Sequence, residues 1–161
     1  MILDERNEFA DAVSVAAAAG TALIGDVIDL KPSTTNPNTT VDLEGSDLYL
    51  VIQTDTEIIT GGAAGTLQFK LSSDAQAAIA TDGSATDHIV TASFVTDDAA
   101  ANSAALNAGG LIYCGKLPSG SYERYLGILA VTGTTTTTAG KINAFLTSDP
   151  ALYRAYADNV A

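Results

Sequence analysis

His88 and Cys114 are the single histidine and the single cysteine of the chain, so nucleophilic chemistry would have to start with them. A cysteine attacks as its thiolate, and forming the thiolate needs a base or a positive charge nearby. His88 stands in the run DHIVTASFV, at the start of an expected strand, and Cys114 stands in LIYCG, inside another. Nothing in their spacing brings the two together. Cys114 therefore reads as a small buried hydrophobe, and His88 as a residue that begins a strand. A lone cysteine closes no intramolecular disulfide and says nothing about the redox compartment.

Carboxylates are the other candidates. Asp97-Asp98, or Asp26 with Asp29, would supply oxygens of the kind calcium takes. Asp97-Asp98 also precede an alanine-rich run, where paired acids suit the positive end of a short helix, and the cap is the preferred reading. The sequence has no Cys/His cluster at metal-ligand spacing, no GxSxG and no phosphate loop. Asn38-Thr39-Thr40 matches a glycosylation acceptor, but no secretory signal accompanies it. The expectation is a protein that is not an enzyme and needs no cofactor.

The totals point the same way. At 161 residues the chain fits one domain, 1–161, with enough length to bury a core without staples. Nineteen acids against seven bases give a net charge of -12. That balance argues against nucleic acid as a partner, because such binding relies on Lys and Arg neutralising phosphates. The acidity is better read as keeping particles soluble and apart. No apolar run is long enough to span a membrane, and MILDERNEF has acids where a signal peptide has bases. A protein made and kept in the cytosol of the producing cell is expected.

The elements that would position these residues are mostly strands. From Tyr122 to Val131 and from Thr138 to Thr147, β-branched, aromatic and aliphatic residues dominate, and Ile142, Ala144 and Leu146 alternate with polar neighbours. Gly133 and Gly140 bracket a threonine-rich tip, so the two strands most simply pair as a hairpin with Thr134 to Thr138 exposed and mobile. LYLVIQT, from Leu48, reads as a central strand covered on both faces, continued by Ile58 and Ile59. TLQFKLS, from Thr66, puts Leu67, Phe69 and Leu71 on one face. Further strands are expected within residues 12–19, at Asp26–Leu30, at Ile89–Thr96 and at Leu111–Gly115. Ser73-Asp74 would cap a brief helix over Ala75–Ala80, and a second would run over Ala99–Leu106. PSTTNPNTT, from Pro32, is a surface loop. Eight or nine strands with two short helical insertions fit an antiparallel β-sandwich or jelly roll.

Several pieces of the chain resemble the Bbp16-like capsid cement proteins of short-tailed bacteriophages. They are Phe9-Ala10-Asp11-Ala12, Val27-Ile28-Asp29-Leu30, Leu117-Pro118, Glu123-Arg124-Tyr125-Leu126-Gly127, Gly133-Thr134, Thr138-Ala139-Gly140 and Ala144-Phe145-Leu146, in the family's order. The resemblance implies a jelly roll that binds the outside of an icosahedral shell, often as a dimer at two-fold positions. Its partner would be the major capsid protein, and its place the outer surface of the virion, after synthesis in the host cytoplasm. A different class, a glycan- or receptor-binding sandwich of a tail or fibre, uses the same fold.

Two surfaces are candidates for such contacts. Residues 1–9 form an N-terminal arm with Ile2, Leu3 and Phe9 set among charges, and the C-terminal segment offers Tyr153, Arg154 and Tyr156, of types common at interfaces. The competing reading is that both ends only cover the open ends of the sandwich. Arg124 is assigned a structural role: partly covered and paired with a carboxylate or with carbonyls.

Overall fold

Nine strands form two antiparallel sheets, packed face to face. The structure, a computed structural model, describes residues 5–31, 35, 43, 47–60, 65–96 and 103–153. The first sheet holds β1 (Glu8–Ser14), β9 (Thr137–Thr147), β3 (Tyr49–Thr60) and β7 (Leu111–Lys116), in that order across the sheet. The second holds β2 (Gly20–Asp29), β8 (Tyr125–Gly133), β4 (Thr66–Asp74) and β5 (Thr86–Val90), with β6 (Phe94–Val95) also paired to β4. All connections between consecutive strands pass from one sheet to the other, except those within β4, β5 and β6. This interleaving is the wrapping of a jelly roll.

The period of two explains why these segments are strands and which way they face. Leu67, Phe69 and Leu71 of β4 and Leu126, Ile128 and Ala130 of β8 turn inward, opposite Leu50, Ile52 and Ile58 of β3 and Ile142, Ala144 and Leu146 of β9. All twelve are 2% exposed or less. Two buried threonines of β3 are satisfied by carbonyls: Thr54 Oγ1 donates to Ala105 O at 2.7 Å, and Thr60 Oγ1 donates to Thr96 O at 2.7 Å. The first of these bonds ties β3 to the 3-10 turn Ala104–Leu106, which drives Leu106 into the core. Gly25 sits at a register slip in β2 with φ of 67°, and a side chain there would collide with the carbonyl of Phe9. That close approach joins β1 to β2 and shuts one side of the sandwich.

The expected hairpin between β8 and β9 does not form. β8 pairs with β2 and β4, whereas β9 pairs with β1 and β3 in the other sheet. Alternation defines a strand's faces but not its neighbours, and both strands have apolar inner faces that either sheet would accept. The threonine-rich connector is therefore an arch between the sheets. It begins at Thr134, whose φ is 66°. Thr137 is 1% exposed and starts β9, exchanging backbone bonds with Ala17, so only Thr134 to Thr136 lie outside the strands.

Other segments also depart from the pattern. No helix forms over residues 75–80. Instead both oxygens of Asp74 accept backbone N–H groups, Oδ1 from Gln76 at 3.1 Å and Oδ2 from Ala80 at 2.9 Å, and the segment becomes a non-helical bend. The expected strand over residues 89–96 is broken in two, since Thr91 Oγ1 accepts from the Phe69 N–H in place of a ladder carbonyl. The first strand lies earlier than expected, at Glu8–Ser14. Residues 99–102 lie outside the described residues, and the part of that expected helix that is described is the 3-10 turn Ala104–Leu106.

Candidate functional site

The arrangement nearest to a catalytic one is at the end of the second sheet. Ser73 on β4 and His88 on β5 are brought side by side by the antiparallel pairing of those strands, and Ser73 Oγ lies 2.7 Å from His88 Nε2. The same oxygen accepts the Glu123 N–H at 3.1 Å. Tyr122 lies against the imidazole with 4.1 Å between ring centroids and donates its hydroxyl to Pro118 O at 2.6 Å. Burial holds the His88 pKa below its usual value of 6.5, against the opposing pull of Asp87 and Glu123. In the tautomer whose Nε2 carries no proton, neutral His88 accepts from the Ser73 hydroxyl, and that hydroxyl then has a donor on one side and an acceptor on the other.

A nucleophilic serine needs a base, an orienting acid and room for a substrate carbonyl. Ser73 has the first, but it is 0% exposed. The neighbouring acid is committed elsewhere: Asp87 Oδ2 accepts a hydrogen bond from Lys70 Nζ at 2.7 Å, and Oδ1 accepts one from Ser72 Oγ at 2.6 Å. Burial pushes the Asp87 carboxyl up, and the bonds from Lys70 and Ser72 outweigh it, so the net shift is downward. The group functions as a clasp that fastens the 118–123 segment to β4 and β5. Sequence reading missed it because Ser73 read as a helix cap, and only the β4–β5 register places it beside His88.

A second clasp works from the other side of the same segment. Arg124 forks onto Asp29 and lies 4.9 Å from the centre of the Tyr125 ring, and Leu30 N–H donates to Arg124 O at 2.8 Å. Arg124 is therefore partly covered and paired, as the sequence expects of it. Asp29 is engaged with this guanidinium, which takes it out of the Asp26/Asp29 calcium reading. Among the described residues no cluster of three metal-ligating side chains is present. Asp97-Asp98 lie outside the described residues.

The expected partner-binding residues fare differently. Phe9 is 1% exposed and belongs to the core cluster, because β1 begins before it and turns its ring inward. The arm reading is corrected at that position. Tyr153 ends the 3-10 turn Pro150–Tyr153. Ile2, Leu3, Arg154 and Tyr156 lie outside the described residues. Cys114 is exposed on β7, not buried, since β7 is the last strand of its sheet and has β3 as its described neighbour.

The outer faces of the two sheets differ. On the first sheet Val51 and Phe145 are paired, point away from the core and are nevertheless 0% and 4% exposed. The atoms that cover them belong to this chain, and the 3-10 turns Glu5–Asn7 and Pro150–Tyr153 lie against β9 and β3. On the second sheet Ile79 packs over Gly127 with Leu23 and Val27, covering one part of the outer face. Val90 and Val95 stand open on the same sheet at 51% and 42% exposed.

The Bbp16 family model matches residues 9–146. The chain belongs to the Bbp16 family. The matched span starts at Phe9 in β1 and ends at Leu146 in β9, so the Bbp16 match coincides with the two sheets and leaves out Ile2, Leu3, Tyr153, Arg154 and Tyr156. Among curated proteins, none matches the chain.

Proposed function

We propose that this Bbp16 family member is a structural protein of a phage virion, a cement or decoration protein that binds the outer surface of an icosahedral capsid and stabilises it. The observation that carries the reading is the family match across the entire sandwich, joined to the motifs through which the chain resembles capsid cement proteins. The geometry agrees with a passive role. In the one serine–histidine pair among the described residues the serine is buried and bonded both to His88 and to the Glu123 N–H, and the pair ties a loop to a sheet. The partner is the major capsid protein, and a protein of net charge -12 has no electrostatic use for nucleic acid.

A cement gains strength from repetition: modest contacts, repeated around a closed shell, add up to resistance against outward pressure. A glycan-binding role would call for an exposed aromatic platform, whereas every described aromatic whose side chain is placed is buried or half-buried. The test is to incubate the purified chain with shells of the phage that encodes it, stripped of this protein, and to sediment them. The expected result is saturable binding at a copy number in simple proportion to the shell protein, and a higher temperature of shell disruption. Shells that neither retain the chain nor gain stability would overturn the reading.

A further inference from the structure

We infer that the outer face of the second sheet, at its valine-bearing end, is the surface this protein lays on the capsid shell. The strand registers define that face. Thr21, Val131 and Gln68 form one row across β2, β8 and β4, and Gly133, Thr66 and Val95 form the next across β8, β4 and β6. Val90 flanks the first row beside Lys70. All of these alternate with core residues, so they point outward as a flat, pleated group.

Charge singles the patch out. None of the residues in the two rows is acidic, in a chain with 19 acids and seven bases. The other end of the same sheet carries Asp29, Asp74 and Asp87, set along the strands from the valines. Like charges across an interface are strongly unfavourable, so these two rows, which hold no acid among the described residues, are where another surface approaches this molecule at least electrostatic cost. The bordering Lys70 has its charge engaged by Asp87. The opposite sheet has its outward Val51 and Phe145 already covered by the chain itself.

Size selects the occupant. With about 4.8 Å between strands and about 6.8 Å between residues on one face, two rows across three strands span about 200 Å². A stable two-body interface buries about 800 Å² on each partner. The patch is thus too small to hold a free dimer together and suits a weak contact repeated over a shell. This assignment rests on the cement reading and adds the face that makes the contact.

The experiment compares three chains on stripped shells: the natural chain, Val90→Glu/Val95→Glu, and Lys141→Glu. The double variant and Lys141→Glu change the net charge equally, but Lys141 is an exposed residue of the first sheet. Val90 and Val95 are already exposed, so the double variant folds, and its melting curve checks this. The expected result is a loss of shell affinity of about tenfold or more for the double variant, with Lys141→Glu within about twofold of the natural chain. Equal binding by the double variant and the natural chain would overturn the face while leaving the cement reading intact. A natural chain that ignores shells would overturn the cement reading and this occupant with it. A dimer in sedimentation velocity that the double variant dissociates would give the face to a second copy and overturn the shell as its occupant.

Discussion

Arg124 holds Asp29 with two parallel hydrogen bonds, Nε to Oδ1 at 3.0 Å and Nη2 to Oδ2 at 2.8 Å, across 95 residues of sequence. The bond from Arg124 keeps the Asp29 carboxyl below its usual value of 3.8, partly opposed by burial and aided by the Lys31 N–H. A carboxyl whose folded pKa is depressed stabilises the fold above the unfolded value, and that contribution is lost as pH falls through the folded value. Asp29→Asn is therefore expected to be less stable than the natural chain at neutral pH, with the deficit vanishing below the ordinary carboxylate range. Melting curves from pH 7 downward check this. Arg124→Lys is expected to recover only part of the loss, because an ammonium cannot make the paired contact.

His88 gives a second pH dependence at higher pH. Its folded pKa lies below the unfolded value of 6.5 because burial disfavours the charged ring. The unfolded chain then binds the proton more readily, so stability is full above 6.5 and declines as pH falls from there towards the folded value. Asp87 and Glu123 oppose the shift but do not reverse it. His88→Gln keeps an acceptor for Ser73 and removes the titration, so its melting temperature is expected to stay flat across that interval while the natural chain declines. Ser73→Ala leaves the Glu123 N–H without its buried partner and is expected to cost about 1–3 kcal/mol at all pH values.

What the sequence disclosed and what it hid divide along a physical line. Local periodicity is written in each segment, so the inward faces of β4 and β9 and the central position of β3 were legible from Leu67, Phe69, Leu71 and LYLVIQT. Which strand lies beside which is decided by contacts between distant segments, and there the pattern misled: β8 and β9 read as a hairpin and are in different sheets. The same limit applies to the clasp. Ser73 and His88 carry no motif, and only the β4–β5 register makes them neighbours. Phe9 misled for a related reason, since an aromatic among charges fits an arm as well as the first residues of an edge strand. Arg124 was legible because a cation in an apolar strand requires a partner, although nothing in the sequence named Asp29.

The arch between β8 and β9 makes a prediction that a hairpin would not. Facing sheets lie about 10 Å apart, and Thr134 to Thr136 carry the chain across. Replacing these residues with Asn-Gly, a two-residue hairpin turn, is expected to prevent folding or to lower the melting temperature by more than about 10 °C. Lengthening the arch by a Gly-Ser pair should cost under about 1 kcal/mol, since loop-closure entropy grows slowly with length. A shortened chain that melts like the natural one would mean that β8 and β9 pair directly.

Thr137 offers the opposite sign. Its backbone is well used, with Ala17 N–H donating to its carbonyl at 3.1 Å and its own N–H donating to Ala17 O at 2.9 Å. Its hydroxyl is buried without a hydrogen-bond partner. An unsatisfied buried hydroxyl carries its desolvation cost with no return, and valine has nearly the same shape with a methyl in its place. Both residues are β-branched, so the strand preference is unchanged. Thr137→Val is therefore expected to raise stability by about 1 kcal/mol, or about 2–4 °C in melting temperature for a domain of this size. A variant that melts lower than the natural chain would show that the Thr137 hydroxyl has a partner in solution, such as a bound water.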